Sequence, residues 1–123
     1  KPITKTSELK QIVQKIVPSG SRIGTNKHPE AKVFQALRIA VNDELGNLKK
    51  LLPQAFETLA PEGVISVITF HSGEDRIVKD FFREKVAASE AEFIFKIKKP
   101  TESEVALNKR SHSAKLRSIS KRK

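Results

Sequence analysis

The chain has 123 residues, a formal net charge of +10 and no cysteine. This length suits a single domain, and the lack of cysteine excludes disulfides, thiolate catalysis and zinc sites built on Cys. No run of about 18 apolar residues and no signal peptide is visible, so we expect a cytoplasmic protein without membrane contact.

The positive charge is concentrated near the end of the chain. Residues 93–123 contain ten Lys and Arg against two Glu. A concentrated positive field attracts polyanions, and RNA or DNA is the usual one. A solvated basic tail that aids solubility is the alternative. A membrane surface is a weaker option, because the tail lacks a clean amphipathic helix.

The first half of the chain carries helical patterns. Apolar residues on one face predict a helix over residues 6–17, and Pro18, Gly20 and Gly24 then mark a loop through residue 27. Pro29 suits the first position of a second helix. Its apolar residues recur at spacings of three and four: Phe34, Leu37, Val41, Leu45, Leu48 and Leu52. We expect Pro53 to end this helix and to open a shorter one that ends near residue 59.

Residues 64–70 (VISVITF) form an apolar segment rich in β-branched side chains that does not alternate. This composition predicts a strand buried on both faces inside a parallel sheet covered by helices. The preceding residues supply only helices, so the chain resembles the second part of an α/β domain. We therefore expect exposed or partner-covered apolar surface on this strand.

The remaining elements follow a polar corner. Ser72 is predicted to cap a helix with Asp75 three residues on, as a variant of the capping box. Residues 93–98 alternate and predict a half-exposed strand. Residues 100–111 are predicted to be a loop, and residues 115–120 a last strand that pairs antiparallel with residues 93–98.

The corner at residues 71–76 (HSGEDR) lies where a strand turns into a helix, which is the functional rim of open α/β sheets. Glu74 and Asp75 occupy the helix start, so a phosphate cradle is not expected there. Their carboxylates can accept a hydrogen bond from an exocyclic amine such as cytosine N4, and His71 can act as acid, base or hydrogen-bond partner. The alternative is structural: Ser72 caps, the acidic residues offset the helix dipole, and Arg76 makes a surface pair.

Three stretches, HPEAKVFQALRIAVNDEL, VITFHSGEDRIVKDFF and NKRSHSAKLR, together resemble the MraW/RsmH family of S-adenosylmethionine-dependent methyltransferases. Gly73 stands where this family usually has Leu, and Lys109 stands where it usually has Pro. The resemblance implies methyl transfer to N4 of a cytidine in 16S ribosomal RNA of the small subunit. We keep a non-catalytic basic RNA-binding module as the alternative function.

The resemblance also implies an architecture. Residues 1–52 match part of an inserted helical subdomain with the long helix after it. Residues 53–123 match the carboxyl-terminal part of a class I (Rossmann-like) methyltransferase α/β domain with a basic tail. The amino-terminal strands and motifs that bind S-adenosylmethionine are absent from the pattern. We therefore expect no cofactor site in this chain, no activity from it alone, and either self-association or contact with the missing half.

Candidate site residues fall into two groups, and we expect no metal site, because three separated histidines without cysteine give no ligand spacing. Candidates for contact with the target nucleotide are His71, Ser72, Glu74, Asp75, Arg76 and, on one polar stripe of the long helix, Gln35, Arg38 and Asn42. Candidates for contact with RNA phosphates are Lys109, Arg110, Lys115, Arg117, Lys121 and Arg122. The stripe has a solvated helix flank as its alternative interpretation.

Overall fold

A computed structural model describes residues 2–17 and 29–123, and it divides into two compact units, Lys1–Glu44 and Leu45–Lys123. In the first unit, helix α1 spans Thr6–Ile16 and helix α2 spans Pro29–Asn42. The predicted loop from Pro18 to residue 27 lies outside the described residues. The two helices are joined where Gln14 Nε2 donates to Glu30 Oε1 at 3.2 Å.

The long helical pattern is broken at a different place from the one predicted. Asp43 has a φ of 47°, a left-handed conformation that Asp tolerates better than most residues, and it separates α2 from helix α3, Glu44–Thr58. Pro53 lies inside α3 and does not end it. A proline inside a helix costs about 3 kcal/mol, but Leu52 and Phe56 on either side are buried in the core and offset this cost. The predicted domain boundary after residue 52 therefore falls within α3.

The second unit is built on a three-stranded sheet. Strand β1 spans Val64–Thr69, β2 spans Ala91–Lys98 and β3 spans Lys115–Lys121, in the order β1-β3-β2. Both pairings are antiparallel. The predicted last strand and its antiparallel pairing with β2 are confirmed.

Within the described residues β1 has no parallel neighbour and is not buried on both faces, so its place inside a larger parallel sheet stays a prediction. Its hydrogen-bonded neighbour is the antiparallel β3, with Ile65 opposite Ile119. Ile65 and Val67 pack against the core, whereas Val64 and Ile68 on the outer face are more than half exposed. The outer face of β1 thus carries apolar side chains that are only partly covered by the described residues, so the expected exposed apolar surface is present.

Helix α4, Ser72–Ala87, packs on the inner face of the sheet together with α3. Val78 and Phe82 on α4 are fully buried, and their spacing of four places them on one face of the helix. Their partners in the core are Leu52, Phe56, Ala91 and Ile119. No helix within the described ranges combines the length and the apolar character needed to cross a membrane.

The predicted loop over residues 100–111 is wrong. Helix α5 spans Glu102–Leu107, and a 3₁₀ helix follows at Lys109–Ser113. A capping box starts α5: Glu104 N donates to Thr101 Oγ1 at 3.2 Å, and Thr101 N donates to Glu104 Oε2 at 2.8 Å. The Thr-x-x-Glu signature of such a box is present in the sequence.

Candidate functional site

The corner between β1 and α4 is capped by His71, and the predicted cap formed by Ser72 and Asp75 is wrong by one residue. His71 has the extended backbone of an N-cap, and its Nδ1 accepts from Gly73 N at 3.1 Å and Glu74 N at 3.3 Å. Glu74 Oε2 in turn accepts from His71 N at 3.3 Å and from Phe70 N at 2.9 Å. This reciprocal bonding fixes the end of β1 to the start of α4.

The capping bonds determine what the imidazole of His71 can do. Because Nδ1 accepts two N–H groups, we assign the ring proton to Nε2. Nε2 is buried, forms no well-aligned hydrogen bond within the described residues, and lies 3.4 Å from Glu74 Oε1. With Nδ1 accepting from two backbone amides and the proton assigned to Nε2, the ring has no free lone pair, so the geometry favours a positioning role over a general base.

Asp75 is the centre of a buried ion cluster that joins α4 to β3. Its carboxylate accepts from Arg117 Nε at 2.8 Å, from Arg117 Nη2 at 3.1 Å and from Lys115 Nζ at 3.3 Å. Arg117 Nη1 also donates to the Lys96 carbonyl at 2.6 Å. The hydrogen bonds and charge of Arg117 lower the pKa of Asp75 below its usual value, although burial acts in the opposite direction.

The five corner candidates are thus close together but differ in what they offer to a ligand. The carboxylates of Glu74 and Asp75 are already engaged by backbone amides and by cations. Ser72 and Arg76 are exposed at the start of α4. These two are the corner side chains that face solvent.

The polar stripe on α2 belongs to the first unit. Arg38 Nε lies 2.8 Å from Glu44 Oε1, and Asn42 Nδ2 donates to the same oxygen at 3.4 Å. The Arg38 side chain is nevertheless 59% exposed, and Gln35 is half-buried. The structure therefore brings Arg38 and Asn42 together at one carboxylate.

The six predicted phosphate contacts separate into structural and exposed cations. Lys121 Nζ donates to the carbonyls of Phe56, Glu57 and Leu59 at 3.3, 3.3 and 2.9 Å. A cation at a helix C-terminus satisfies carbonyls that have no partner within the helix. Arg117 and Lys115 are engaged by Asp75. The candidates that remain exposed are Lys109, Arg110 and Arg122.

A cavity of about 610 Å³ lies between the outer face of the sheet and the segment that contains α5. Ile68, Phe70 and Leu116 contribute apolar side chains to its wall, and Lys98 and Arg110 contribute positive charge. This cavity was not predicted from the sequence. The available signal was the neighbouring pair Lys98-Lys99 at the end of the half-exposed strand β2.

The cavity does not fit S-adenosylmethionine. Lys98, Lys99 and Arg110 all line it, and they would repel the positive sulfonium of that molecule. Glu104, the carboxylate among the lining residues, is committed to the α5 cap at Thr101. The described residues of this unit therefore favour an anionic ligand here.

Comparisons with known proteins agree with the resemblance seen in the sequence. A family model described as the MraW methylase family matches residues 1–122. The chain is 48% identical over 125 residues to "Ribosomal RNA small subunit methyltransferase H" of Borreliella afzelii (strain PKo). This match covers 98% of this chain and 40% of the relative. Proteins of the same name from Mycoplasmopsis pulmonis and Carboxydothermus hydrogenoformans are 43% and 44% identical, and each match covers 98% of this chain and 43% of the relative. The chain thus spans about two fifths of the length of these relatives.

Proposed function

Because the chain belongs to the MraW methylase family, we propose that it contributes to S-adenosylmethionine-dependent methylation of a cytidine N4 in 16S ribosomal RNA. The match over residues 1–122 is the observation that carries this proposal. The substrate class is supported by the names of the relatives, which are methyltransferases of small-subunit ribosomal RNA. The choice of the N4 atom comes from the sequence resemblance.

Within this activity we assign RNA contact, and not cofactor contact, to the 123 residues. The exposed cations Lys109, Arg110 and Arg122 support this assignment, because each can neutralise a backbone phosphate. The cation-lined cavity on the outer face disfavours the sulfonium of the methyl donor. S-adenosylmethionine supplies the methyl group in such a reaction, and we propose that other residues of the full-length enzyme bind it.

We also propose that β1 is an inner strand of a larger Rossmann-like sheet. Its pairing with β3 uses one edge, and no described strand pairs with the other edge. β1 and β2 both run antiparallel to β3, so they are parallel to each other. A further parallel strand at the free edge would complete the backbone hydrogen bonds of β1.

The corner residues divide into those that stabilise the β1–α4 junction and those whose exposed side chains can contact RNA. We assign His71, Glu74 and Asp75 to holding the β1–α4 junction, because their polar groups are engaged there. Ser72 and Arg76 are the exposed candidates for contact with the target nucleotide. On α2, we keep Gln35, Arg38 and Asn42 as candidates for the same contact.

The contribution of such a surface to catalysis is orientation. The exocyclic amine must point toward the methyl donor, and this requires a base that has left its stack. Cations that fix the phosphates on either side of the base restrict its rotation. A surface of this kind raises the rate by holding the base in a reactive geometry. The amine loses one proton as it gains the methyl group, and we propose that water or a group elsewhere in the full-length enzyme accepts it.

A non-catalytic RNA-binding module is the second candidate function, and the cation-lined cavity favours it equally. Both candidates predict RNA binding by this chain, and neither predicts a cofactor site in it. They differ in whether a methylated base is formed when the other parts of the enzyme are supplied.

Calorimetric titrations of the 123-residue chain test the division of roles. We expect a single-stranded oligonucleotide with 16S RNA sequence to bind with an affinity that falls steeply as salt rises. We expect no heat of binding from S-adenosylmethionine. Tight binding of S-adenosylmethionine by the chain alone would contradict the assignment. RNA binding that is absent or insensitive to salt would mean that the positive charge serves solubility and not RNA contact.

A further inference from the structure

The outer face of the sheet combines an apolar wall with a cationic rim. Ile68, Phe70 and Leu116 line the cavity from β1, its end and β3. Ile68 and Phe70 are 58% and 55% exposed, so their side chains are accessible from this side. Lys98, Lys99 and Arg110 stand around the same cavity.

We propose that this cavity is a nucleotide subsite that takes one unpaired base of single-stranded RNA, with the adjoining phosphates on the rim. The base would stack against the ring of Phe70 and pack on Ile68 and Leu116. The phosphates would lie against Lys98, Lys99 and Arg110. The subsite rests on the proposed function, because the occupant is a nucleotide of the same RNA.

The size and charge of the cavity favour this occupant. A volume of about 610 Å³ falls within the range of small-ligand pockets, about 300–1,000 Å³. An aromatic face beside cations is the combination that single-stranded nucleic acid uses, because every base has a stacking face and every link carries a negative charge. A neutral or basic peptide segment would leave the three cations without counter-charges.

Two contacts fix the walls before RNA arrives. Lys98 Nζ lies 4.5 Å from the centre of the Phe95 ring, a cation–π distance that holds the ammonium near the rim. Phe70 N donates to Glu74 Oε2 at 2.9 Å, so the capping box of α4 holds the backbone of the stacking residue. Phe70, the aromatic residue in the cavity wall, is therefore adjacent in sequence to His71 at the corner.

This adjacency sets where the nucleotide lies along the RNA. Phe70 lies directly after β1, where the corner begins, and Ser72 and Arg76 are exposed on the next turn. A base held at Phe70 would be a near neighbour in sequence of the base presented at the corner. The subsite would thereby select for unpaired RNA around the target and fix its register.

The test is fluorescence anisotropy of a short fluorescein-labelled single-stranded RNA with the 123-residue chain. We expect Phe70→Ala to weaken binding about 5- to 100-fold, the range for loss of one base–aromatic stack, and Phe70→Leu to keep part of the apolar contact. Val64→Ala is the matched control, because Val64 is an exposed apolar residue at the start of β1, the end of the strand that is farther from Phe70. Its affinity should equal that of the wild-type chain.

Two further comparisons separate stacking from charge. Arg110→Gln and Lys99→Gln should each reduce the slope of log affinity against log salt by about 1, whereas Phe70→Ala should leave the slope unchanged. In a series of RNAs with one abasic nucleotide at each position in turn, one position should abolish the effect of Phe70→Ala on affinity. Far-UV circular dichroism checks that each variant is folded.

The outcomes distinguish the subsite from the proposed function. If the wild-type chain binds RNA in a salt-dependent manner but Phe70→Ala and Phe70→Leu behave like Val64→Ala, the subsite is refuted and the function stands. If Phe70→Ala weakens binding of every abasic RNA as much as binding of the intact RNA, Phe70 contacts something other than a base and the subsite is likewise refuted. If the wild-type chain does not bind RNA, both proposals fall.

Discussion

Replacing Asp75 by Asn tests whether the buried ion cluster holds α4 to the sheet. The change keeps the shape of the side chain but leaves Lys115 and Arg117 beside each other without a negative partner. Three hydrogen bonds from cations end on this carboxylate. Breaking a buried pair from one side typically costs about 3–5 kcal/mol, and the remaining amide oxygen can still accept one bond. We therefore expect a loss of about 3 kcal/mol.

The assay is urea unfolding followed by far-UV circular dichroism, because the chain has no tryptophan or tyrosine to report by fluorescence. Asp80→Asn is the matched control on the same helix. Asp80 is exposed and lies 4.0 Å from Lys79, so its loss should change stability by less than about 1 kcal/mol. Equal stabilities of the two variants would refute the cluster as a structural anchor.

The pH dependence gives a second check on the same residue. The pKa of Asp75 is lowered in the folded chain, so its stabilising contribution is present above the unfolded value of about 3.9. That contribution is lost as the pH falls through the folded value. The stability gap between wild type and Asp75→Asn should be constant near neutral pH and should narrow in acid below about pH 4. A gap that widens in acid would contradict the sign of the shift.

Three further predictions concern the fold around the site, and two of them have a control substitution. His71→Ala should lower the free energy of unfolding by about 1 kcal/mol because it removes the α4 cap, whereas Ser72→Ala should leave it nearly unchanged. Chemical denaturation of both variants measures this difference. A larger loss for Ser72→Ala than for His71→Ala would mean that Ser72 is the cap, as the sequence predicts. Lys121→Met should lower the free energy of unfolding by about 1–2 kcal/mol, because the carbonyls at the end of α3 lose their partner. Arg122→Met is the control and should leave stability unchanged, since Arg122 is an exposed cation 3.9 Å from Glu92. Equal thermal midpoints of the two variants would argue against the Lys121 contacts. Phe82→Ala should cost about 3–5 kcal/mol, since Phe82 is fully buried, and a loss below 1 kcal/mol would mean that the core is not packed as described.

Helices with strong periodicity were predictable from the sequence, whereas their ends were not. The apolar repeat from Phe34 onward identifies helix, but it continues through the Asp43 break because the period on either side is similar. Pro53 suggests an end that core packing at Leu52 and Phe56 overrides. At the corner, Ser72 is the commoner capping residue type, yet His71 is the residue with non-helical backbone.

Long-range contacts account for most of what the sequence analysis missed at the site. Asp75 and Arg117 are 42 residues apart, and Lys121 reaches carbonyls more than 60 residues earlier. No local pattern distinguishes these cations from Arg110 or Lys109, so all appeared equally suited to RNA phosphates. The outer cavity was not visible either, because it forms only when β3 brings Leu116 beside β1.

The most direct test of the account is a chimera. The matching segment of the Carboxydothermus hydrogenoformans relative, which is 44% identical, would be replaced by these 123 residues. The purified chimera would be incubated with small ribosomal subunits and S-adenosylmethionine, and the RNA nucleosides measured by mass spectrometry. We predict that N4-methylcytidine is formed. A folded chimera that binds S-adenosylmethionine but forms no N4-methylcytidine would contradict the account.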